Sequence, residues 1–355
     1  MATTNDRLLL ATRKGVFDVR RRDGAWHLGT PRAAGQTIAY AVRDPRTGSI
    51  WASVDHGHWG AKLARSDDDG VTFAPVEPPK YPDATGAAVK YYWVIQPGPA
   101  ARPGTVWIGT EPGGLFTSDD DGATWSLNEP LWALRKEHAW QGGGRGEAGI
   151  HSICWDPSDP DHVYVAISCA GVLETRDGGA HWAYVNQGLI NVFDPGSNAD
   201  FGHDPHCVAL APSDPRVLWQ ANHCGVFRSA DGAATWDNLT QEPFIDFGFA
   251  VAAHPTRAGT AWLVPMKSDA ERTTVDGRLA VARTDDGGTT WSLHRDGLPA
   301  PAYDFPFRHG LDVGADGETV AFATTSGNLY VSEDGGRTWT TVSTNLPLVY
   351  SLRFA

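Results

Sequence analysis

The stretch Ser118-Asp-Asp120-Asp-Gly122-Ala-Thr124-Trp125 decides the fold, because its pattern returns along the whole chain. The pattern is Ser or Thr, any residue, Asp, any residue, Gly, any residue, Thr and then an aromatic residue. Each copy predicts a tight turn in which the Asp carboxylate accepts backbone N–H groups and the aromatic ring packs between sheets. Variants of the pattern begin at Ser66, Thr175, Ser229, Thr284 and Ser332, and a shortened one covers residues 23–26.

The aromatic residues that end these repeats are 47 to 57 residues apart, which is the length of a four-stranded blade with its loops. The sequence therefore predicts an all-β, seven-bladed β-propeller of four-stranded antiparallel blades in one domain, residues 1–355. The repeat itself should join the third strand to the fourth. The predicted blades are residues 349–355 with 1–30, 36–80, 90–131, 150–189, 205–241, 247–299 and 307–345.

The two ends of the sequence predict how the ring closes. Residues 349–355 resemble the first strand of a blade with nothing after it, and residues 7–12 resemble a second strand with no first strand before it. Pairing the two segments would close the N-terminal blade and remove an open sheet edge.

Composition excludes some partners and predicts a compartment. The 355 residues carry a net charge of −13, which argues against a nucleic-acid partner because phosphate binding needs clustered Lys and Arg. We find no leader-like N-terminal pattern and no membrane-length apolar stretch, so we expect a cytoplasmic protein without a membrane partner. The four Cys lack metal or redox spacing and are expected to be reduced. The oligomeric state stays open.

Histidines indicate a site at one mouth of the channel. In a propeller, the start of each first strand and the end of each second strand lie on one face, opposite the repeated turns. His151 and His206 stand at first-strand starts, and His223 follows a second strand of the adjacent blade. Three such histidines would leave open coordination positions on a divalent transition metal such as Zn, Fe or Mn. We expect no organic cofactor.

Further polar residues surround these predicted ligands on the same face. Glu147 or Glu111 would act as the base, His309 as a fourth ligand or proton shuttle, and Tyr350 as a further catalytic candidate. The predicted partner is a small polar or anionic molecule. Its predicted binding residues are His58, Lys267 and Arg308. The remaining histidines at predicted structural positions are His27, His162, His181, His254 and His294.

The repeated turn resembles the Asp-box, or BNR, repeat of sialidases, Asp-box xyloglucanases and sortilin-type receptors. Other stretches, such as residues 11–17 and 222–229, are similar to bacterial cytosolic proteins described as sialidase-like or glycosyl hydrolase BNR-repeat proteins. This resemblance covers essentially the whole chain. It implies the propeller fold and says little about the reaction.

Three functions are compatible with these features. The main prediction is a metal-dependent hydrolase, lyase or isomerase. The first alternative is a metal-free glycoside hydrolase of the Asp-box type, for which Glu147 and Asp304 are possible carboxylates. The second is a non-catalytic interaction scaffold. A sialidase is disfavoured because the sialidase Arg-Ile-Pro motif is absent and Arg13, Arg145 and Arg308 form no convincing set around Tyr350.

Overall fold

The repeated turns are closed hydrogen-bonded units. Ser118 Oγ donates to Asp120 Oδ1 at 2.8 Å, and Asp120 accepts the backbone N–H of Thr124 at 2.8 Å. The Thr124 bonds lower the pKa of Asp120 to about 2, because they favour the ionised carboxylate. The Asp carboxylates of the repeats therefore accept hydrogen bonds within their own turns and have a structural role. Equivalent bonds surround Asp68, Asp177, Asp231, Asp286 and Asp334.

The computed structural model describes residues 5–58, 60–142, 146–191, 200–240 and 243–355. Short strands dominate these ranges. The strands are β1 (Arg7–Thr12), β2 (Gly15–Arg22), β3 (Ala25–Leu28), β4 (Ile38–Arg43), β5 (Ile50–His56), β6 (Gly60–Ser66), β7 (Ala74–Val76), β8 (Tyr91–Pro97), β9 (Val106–Glu111), β10 (Leu115–Ser118), β11 (Ser126–Leu127), β12 (Ile150–Asp156), β13 (Asp159–Ile167), β14 (Gly171–Thr175), β15 (Ala183–Tyr184), β16 (Pro205–Leu210), β17 (Leu218–Asn222), β18 (Gly225–Ser229), β19 (Asp237–Asn238), β20 (Phe247–Ala253), β21 (Ala261–Met266), β22 (Val281–Thr284), β23 (Ser292–His294), β24 (Leu311–Val313), β25 (Val320–Ala323), β26 (Leu329–Ser332), β27 (Thr340–Ser343) and β28 (Val349–Phe354).

The strands form seven antiparallel sheets of four, which confirms the predicted seven-bladed propeller. Blade 1 has the order β28-β1-β2-β3, and blades 2 to 7 use β4–β7, β8–β11, β12–β15, β16–β19, β20–β23 and β24–β27. The first strand of each blade contacts the first strand of the next, and β24 contacts β28, so the seven first strands form a ring. Each repeated turn joins the third and fourth strands of its blade.

Helical structure is confined to short insertions. One α-helix, α1 (Glu129–Glu137), and three 3-10 turns (Asp83–Thr85, Pro243–Ile245 and Val275–Gly277) lie in the described ranges. Asn128 caps α1 by accepting the Leu131 backbone N–H, and Leu131 and Trp132 are buried against the sheets. None of the described helices has the length and apolar character needed to cross a membrane.

The aromatic residue of the repeat packs between neighbouring blades. Trp125, from the turn of blade 3, lies edge-on to Trp51 of blade 2, with ring centroids 6.2 Å apart. The turn must approach Trp51 closely, since a Cβ at Gly122 would lie 2.4 Å from that ring, and Gly122 also has a φ of +80°. The Gly and the aromatic residue of the pattern thus serve one packing contact. The pairs Trp107–Trp182 and Trp219–Trp291 repeat this blade-to-blade arrangement.

Closure of the ring depends on apolar pairing between β1 and β28. Leu10 pairs with Leu352, and Leu8 pairs with Phe354. All four side chains are buried in one hydrophobic cluster. The predicted closure by the C-terminal strand is therefore confirmed.

We predict that Leu352→Ala lowers the free energy of unfolding by about 2–5 kcal/mol, because it opens a cavity beside a fully buried strand pair. Val71→Ala, at a side chain that is 53% exposed, is the control and should change it by less than about 0.5 kcal/mol. Chemical denaturation measures both values. A Leu352→Ala protein as stable as the control would show that this pairing does not hold the ring.

His162 lies between two carboxylates in blade 4. Its Nδ1 is 2.9 Å from Asp156 Oδ2, and its Nε2 is 2.7 Å from Glu174 Oε1. Burial lowers the pKa of His162, but the two carboxylates outweigh burial and raise it above its ordinary value. The charged imidazole therefore stabilises the blade.

A raised pKa in the folded protein means that this stabilisation is complete below the ordinary pKa of His, about 6.5, and is lost as the pH rises through the raised value. We predict that the stability difference between wild type and His162→Gln is larger at about pH 5.5 than at about pH 9. Urea unfolding at both pH values measures it. A difference that grows with pH would contradict the charged ion-paired histidine.

Candidate functional site

A cavity of about 440 Å³ lies at the mouth of the channel where the first strands begin. All seven blades or the loops before them contribute to its wall. The repeated turns lie at the opposite ends of the first strands, because a third strand runs in the same direction as the first. One contact residue per blade, in blade order, is Tyr350, Ala39, Trp93, Ser168, His206, Phe249 and Arg308.

The structure brings six of the ten predicted site residues into this cavity and leaves four outside its lining. The six are Glu147, His206, His223, Arg308, His309 and Tyr350, and the four are His151, Glu111, His58 and Lys267.

His151 and Glu111 are buried beside the cavity and do not line it. His151 is fully buried, and its carbonyl accepts the Nε2–H of His309 at 2.8 Å. Glu111, at the end of β9, is 2% exposed and accepts the indole N–H of Trp93 at 3.3 Å. The His151 backbone and the Glu111 side chain therefore support lining residues, and neither side chain lines the cavity.

His58 and Lys267 are exposed on turns outside the cavity. The backbone N–H of His58 donates to His56 Nδ1 at 3.2 Å, and Lys267 Nζ lies 2.6 Å from Glu271 Oε2. These turns direct the side chains toward solvent, so the structure does not place either residue where it was predicted to bind substrate.

Asp204, His206 and His223 form a cluster that sequence reasoning only partly found. Asp204 Oδ2 lies 3.6 Å from His223 Nδ1 and 3.9 Å from His206 Nε2. His206 Nδ1–H donates to the Gly248 carbonyl at 2.9 Å, which leaves the Nε2 lone pair directed at Asp204. Asp204 also accepts the backbone N–H of Cys169 at 3.1 Å. The spacing Asp204-Pro-His206 before a first strand was the available sequence signal.

Burial and nearby charge set the protonation of this cluster. Burial lowers the pKa of His206 to about 4, so its imidazole is neutral near neutral pH. Burial raises the pKa of Asp204, but His223, His206 and Arg308 together outweigh it and hold the pKa below its usual range. Contact with Asp204 raises the pKa of His223 more than burial lowers it. Burial likewise lowers the pKa of His309 to about 3.

Among the residues that the structure describes, the same cluster is the group that could hold a metal. One ligand atom from each of Asp204, His206 and His223 lies within 4.8 Å of the other two. The gaps to Asp204 exceed hydrogen-bond length and leave room for one bridging atom, such as a water, a substrate hydroxyl or a divalent ion. His151 is not in this group, so the predicted three-histidine set is not assembled, and the predicted metal stays a prediction.

Glu147 is the second carboxylate of the cavity lining. It lies in the loop after α1, where its Oε2 is 2.6 Å from Lys90 Nζ and its Oε1 is 3.3 Å from Arg135 of that helix. Its side chain is 32% exposed, so solvent reaches it. Arg145 of the same loop lies outside the described residues.

Asp304, the other carboxylate considered for glycoside hydrolysis, is a structural residue. It is buried and accepts the Phe305 backbone N–H at 2.9 Å and the Asn328 side-chain amide at 2.8 Å. Thr325 and Ser326 donate to the same carboxylate. Its acceptor sites are therefore occupied by its own loop and by the turn between β25 and β26, away from the cavity.

Aromatic rings form much of the remaining wall. Phe307 stacks on Tyr350 with an interplanar angle of 16°, and Phe305 lies between Phe249 and Phe307. Trp93 completes the wall from blade 3. Flat apolar surfaces with a few polar groups are typical of small-molecule sites. Apart from Tyr350, the sequence did not identify these aromatics, because nothing in their spacing separates them from core residues.

No protein-family model matches the chain. Sequence similarity is to xyloglucanases. Xyloglucanase Xgh74A of Acetivibrio thermocellus is 26% identical over 234 residues, which cover 58% of this chain and 27% of that protein. A xyloglucanase of Paenibacillus sp is 24% identical over 307 residues, which cover 74% of this chain and 28% of that protein. The chain thus spans little more than a quarter of the length of these relatives.

Solved structures confirm the fold. An ancestral GH74 enzyme superimposes with a TM-score of 0.60 at 15% identity, covering 85% of this chain and 37% of that one. YCF48 from Cyanidioschyzon merolae superimposes with a TM-score of 0.55 at 15% identity, covering 94% of this chain and 92% of that one.

These similarities correct the main functional prediction. The relatives are xyloglucanases, which are glycoside hydrolases, so the predicted metal-dependent hydrolase, lyase or isomerase acting on a small anionic molecule was wrong. The metal-free glycoside hydrolase that was the first alternative fits the similarity better. The chain is similar in sequence to xyloglucanases and in fold to seven-bladed propellers.

Proposed function

We propose that the channel mouth binds an oligosaccharide and hydrolyses a glycosidic bond. The observation that carries this proposal is the pair of carboxylates, Glu147 and Asp204, in one cavity walled by aromatic rings. Glycoside hydrolysis needs two carboxyl groups beside the scissile bond and no metal. The sequence similarity to xyloglucanases supports the same chemistry. We also propose that the six repeated turns make the chain an Asp-box propeller.

The two carboxylates differ in a way that suits two roles. Asp204 is buried and held as an anion, which suits the group that removes a proton from water or attacks the sugar carbon. Glu147 is the more exposed carboxylate and can be reached from solvent, and we assign it the role of general acid. Glu147 would donate its proton to the leaving oxygen as the C–O bond breaks, and water would supply the new hydroxyl.

A non-catalytic peptide-binding protein is the second candidate. It is favoured by the match to YCF48, which covers nearly the whole of both chains, whereas the xyloglucanase matches cover little more than a quarter of the relatives. One YCF48 structure is described as bound to a D1 peptide. An extended peptide could occupy the same aromatic mouth.

We predict that Glu147→Gln and Asp204→Asn each lower kcat on xyloglucan oligosaccharides by at least about 100-fold, because each removes a proton-transfer group. Glu271→Gln is the matched control, since Glu271 also pairs with a lysine but does not line the cavity. Reducing-end release measures turnover. Treatment with a chelator should leave the rate unchanged.

Two results would refute this assignment. If both variants kept wild-type turnover, the carboxylate pair would not be catalytic. If chelation abolished turnover and added metal restored it, hydrolysis would depend on a metal rather than on two carboxylates. A wild-type protein that binds peptides and hydrolyses no oligosaccharide would favour the second candidate.

A further inference from the structure

Arg308 presents a guanidinium group held between two aromatic rings in the cavity wall. Its Cζ lies 5.3 Å from the ring centroid of Trp93 and 5.4 Å from that of Phe249. Trp93 comes from blade 3 and Phe249 from blade 6, so side chains from distant parts of the sequence fix this one cation. Cation–π contacts of this kind restrict the guanidinium group. They do not use its N–H donors, which lie in the plane of the guanidinium.

No acceptor within the described ranges takes these donors. Arg308 makes no hydrogen bond or ion pair with another described residue, and its Nε is shielded from solvent. A guanidinium has five N–H donors, and leaving buried donors unpaired costs about 1–3 kcal/mol each. Arg353, deeper in the channel, shows the usual solution, because it donates to the Tyr40 hydroxyl and the His309 carbonyl.

The other guanidinium among the described lining residues is already neutralised. Arg272 also lies over Phe249, with its Cζ 5.4 Å from the ring centroid, but it forms an ion pair with Asp269. Asp204 lines the cavity as well and makes no ion pair with Arg308. Of the two arginines among the described lining residues, Arg308 is the one without an ion pair, although its charge also lowers the pKa of Asp204.

We propose that Arg308 binds the carboxylate of an acidic sugar, so that the preferred ligand is an oligosaccharide containing a uronic acid. A planar guanidinium matches a carboxylate through two parallel hydrogen bonds. The protein carries a net charge of −13, which disfavours anions in general, so binding one requires a dedicated cation. The adjoining aromatic rings provide flat surfaces for the sugar ring. This inference rests on the proposed function, since it names the substrate class of the same cavity.

Binding of three small probes tests the inference without requiring turnover. Methyl glucuronide carries a carboxylate where methyl glucoside carries a hydroxymethyl group. Acetate supplies the carboxylate without the sugar. We expect the wild-type protein to bind methyl glucuronide at least about tenfold more tightly than methyl glucoside or acetate. Isothermal titration or ligand-observed NMR measures the three affinities.

Variants test whether Arg308 causes the preference for methyl glucuronide over methyl glucoside. Arg308→Gln should weaken methyl glucuronide binding at least about tenfold more than methyl glucoside binding, because the charge-assisted bonds are made only with the carboxylate. Arg308→Lys, which keeps the charge, should retain part of the preference. Arg257→Gln is the control, since Arg257 is an exposed arginine paired with Glu318 outside the cavity. Thermal unfolding of each variant confirms that it is folded.

The outcomes separate this inference from the proposed function. Equal affinity for methyl glucuronide and methyl glucoside, or equal weakening of both in Arg308→Gln, would overturn the acidic-sugar assignment even if neutral oligosaccharides are hydrolysed. Acetate binding as tightly as methyl glucuronide would reduce the site to a general carboxylate site and overturn it as well. A glucuronide preference without turnover of any oligosaccharide would support the subsite and refute hydrolysis.

Discussion

The antiparallel pairing of β1 with β28 is the constraint on which the ring depends, because it joins the two ends of the chain within one sheet. Each first strand contacts the next, so closing blade 1 fixes the circumference for all seven. The cavity is assembled from every blade, and Tyr350 on the closing strand stacks with Phe307 before blade 7. A loose closure would separate the side chains that together line the cavity.

The repeated turns and the cavity divide the two faces of the ring between stability and function. In each turn the Asp accepts bonds from its own loop, as Asp120 does from Ser118 and Thr124, and the aromatic residue packs on the preceding blade. At the opposite mouth the residues differ from blade to blade. The loops there are long enough to add α1 and Glu147 without disturbing the sheets.

The fold was predictable from sequence because its signal is local and repeated: a turn motif, an aromatic residue and a constant spacing. The face that carries the cavity was predictable for the same reason, and the structure places His206, His223 and Arg308 in the cavity lining. Side-chain direction was not predictable. His151 occupies an equivalent strand start but is buried beside the lining, and the position of Asp204 depends on a loop whose path no periodicity determines.

The proposed function follows from the division of the ring into two faces. Within the ranges that the structure describes, two carboxylates, a guanidinium without an ion pair and an aromatic wall meet only at the mouth opposite the repeated turns. A crystal structure of the Glu147→Gln protein with an oligosaccharide bound tests this location most directly. The account predicts a sugar ring against the aromatic wall, with its glycosidic oxygen near residue 147 and Asp204. A sugar bound on the face of the repeated turns, or on the outer edge of a blade, would contradict it.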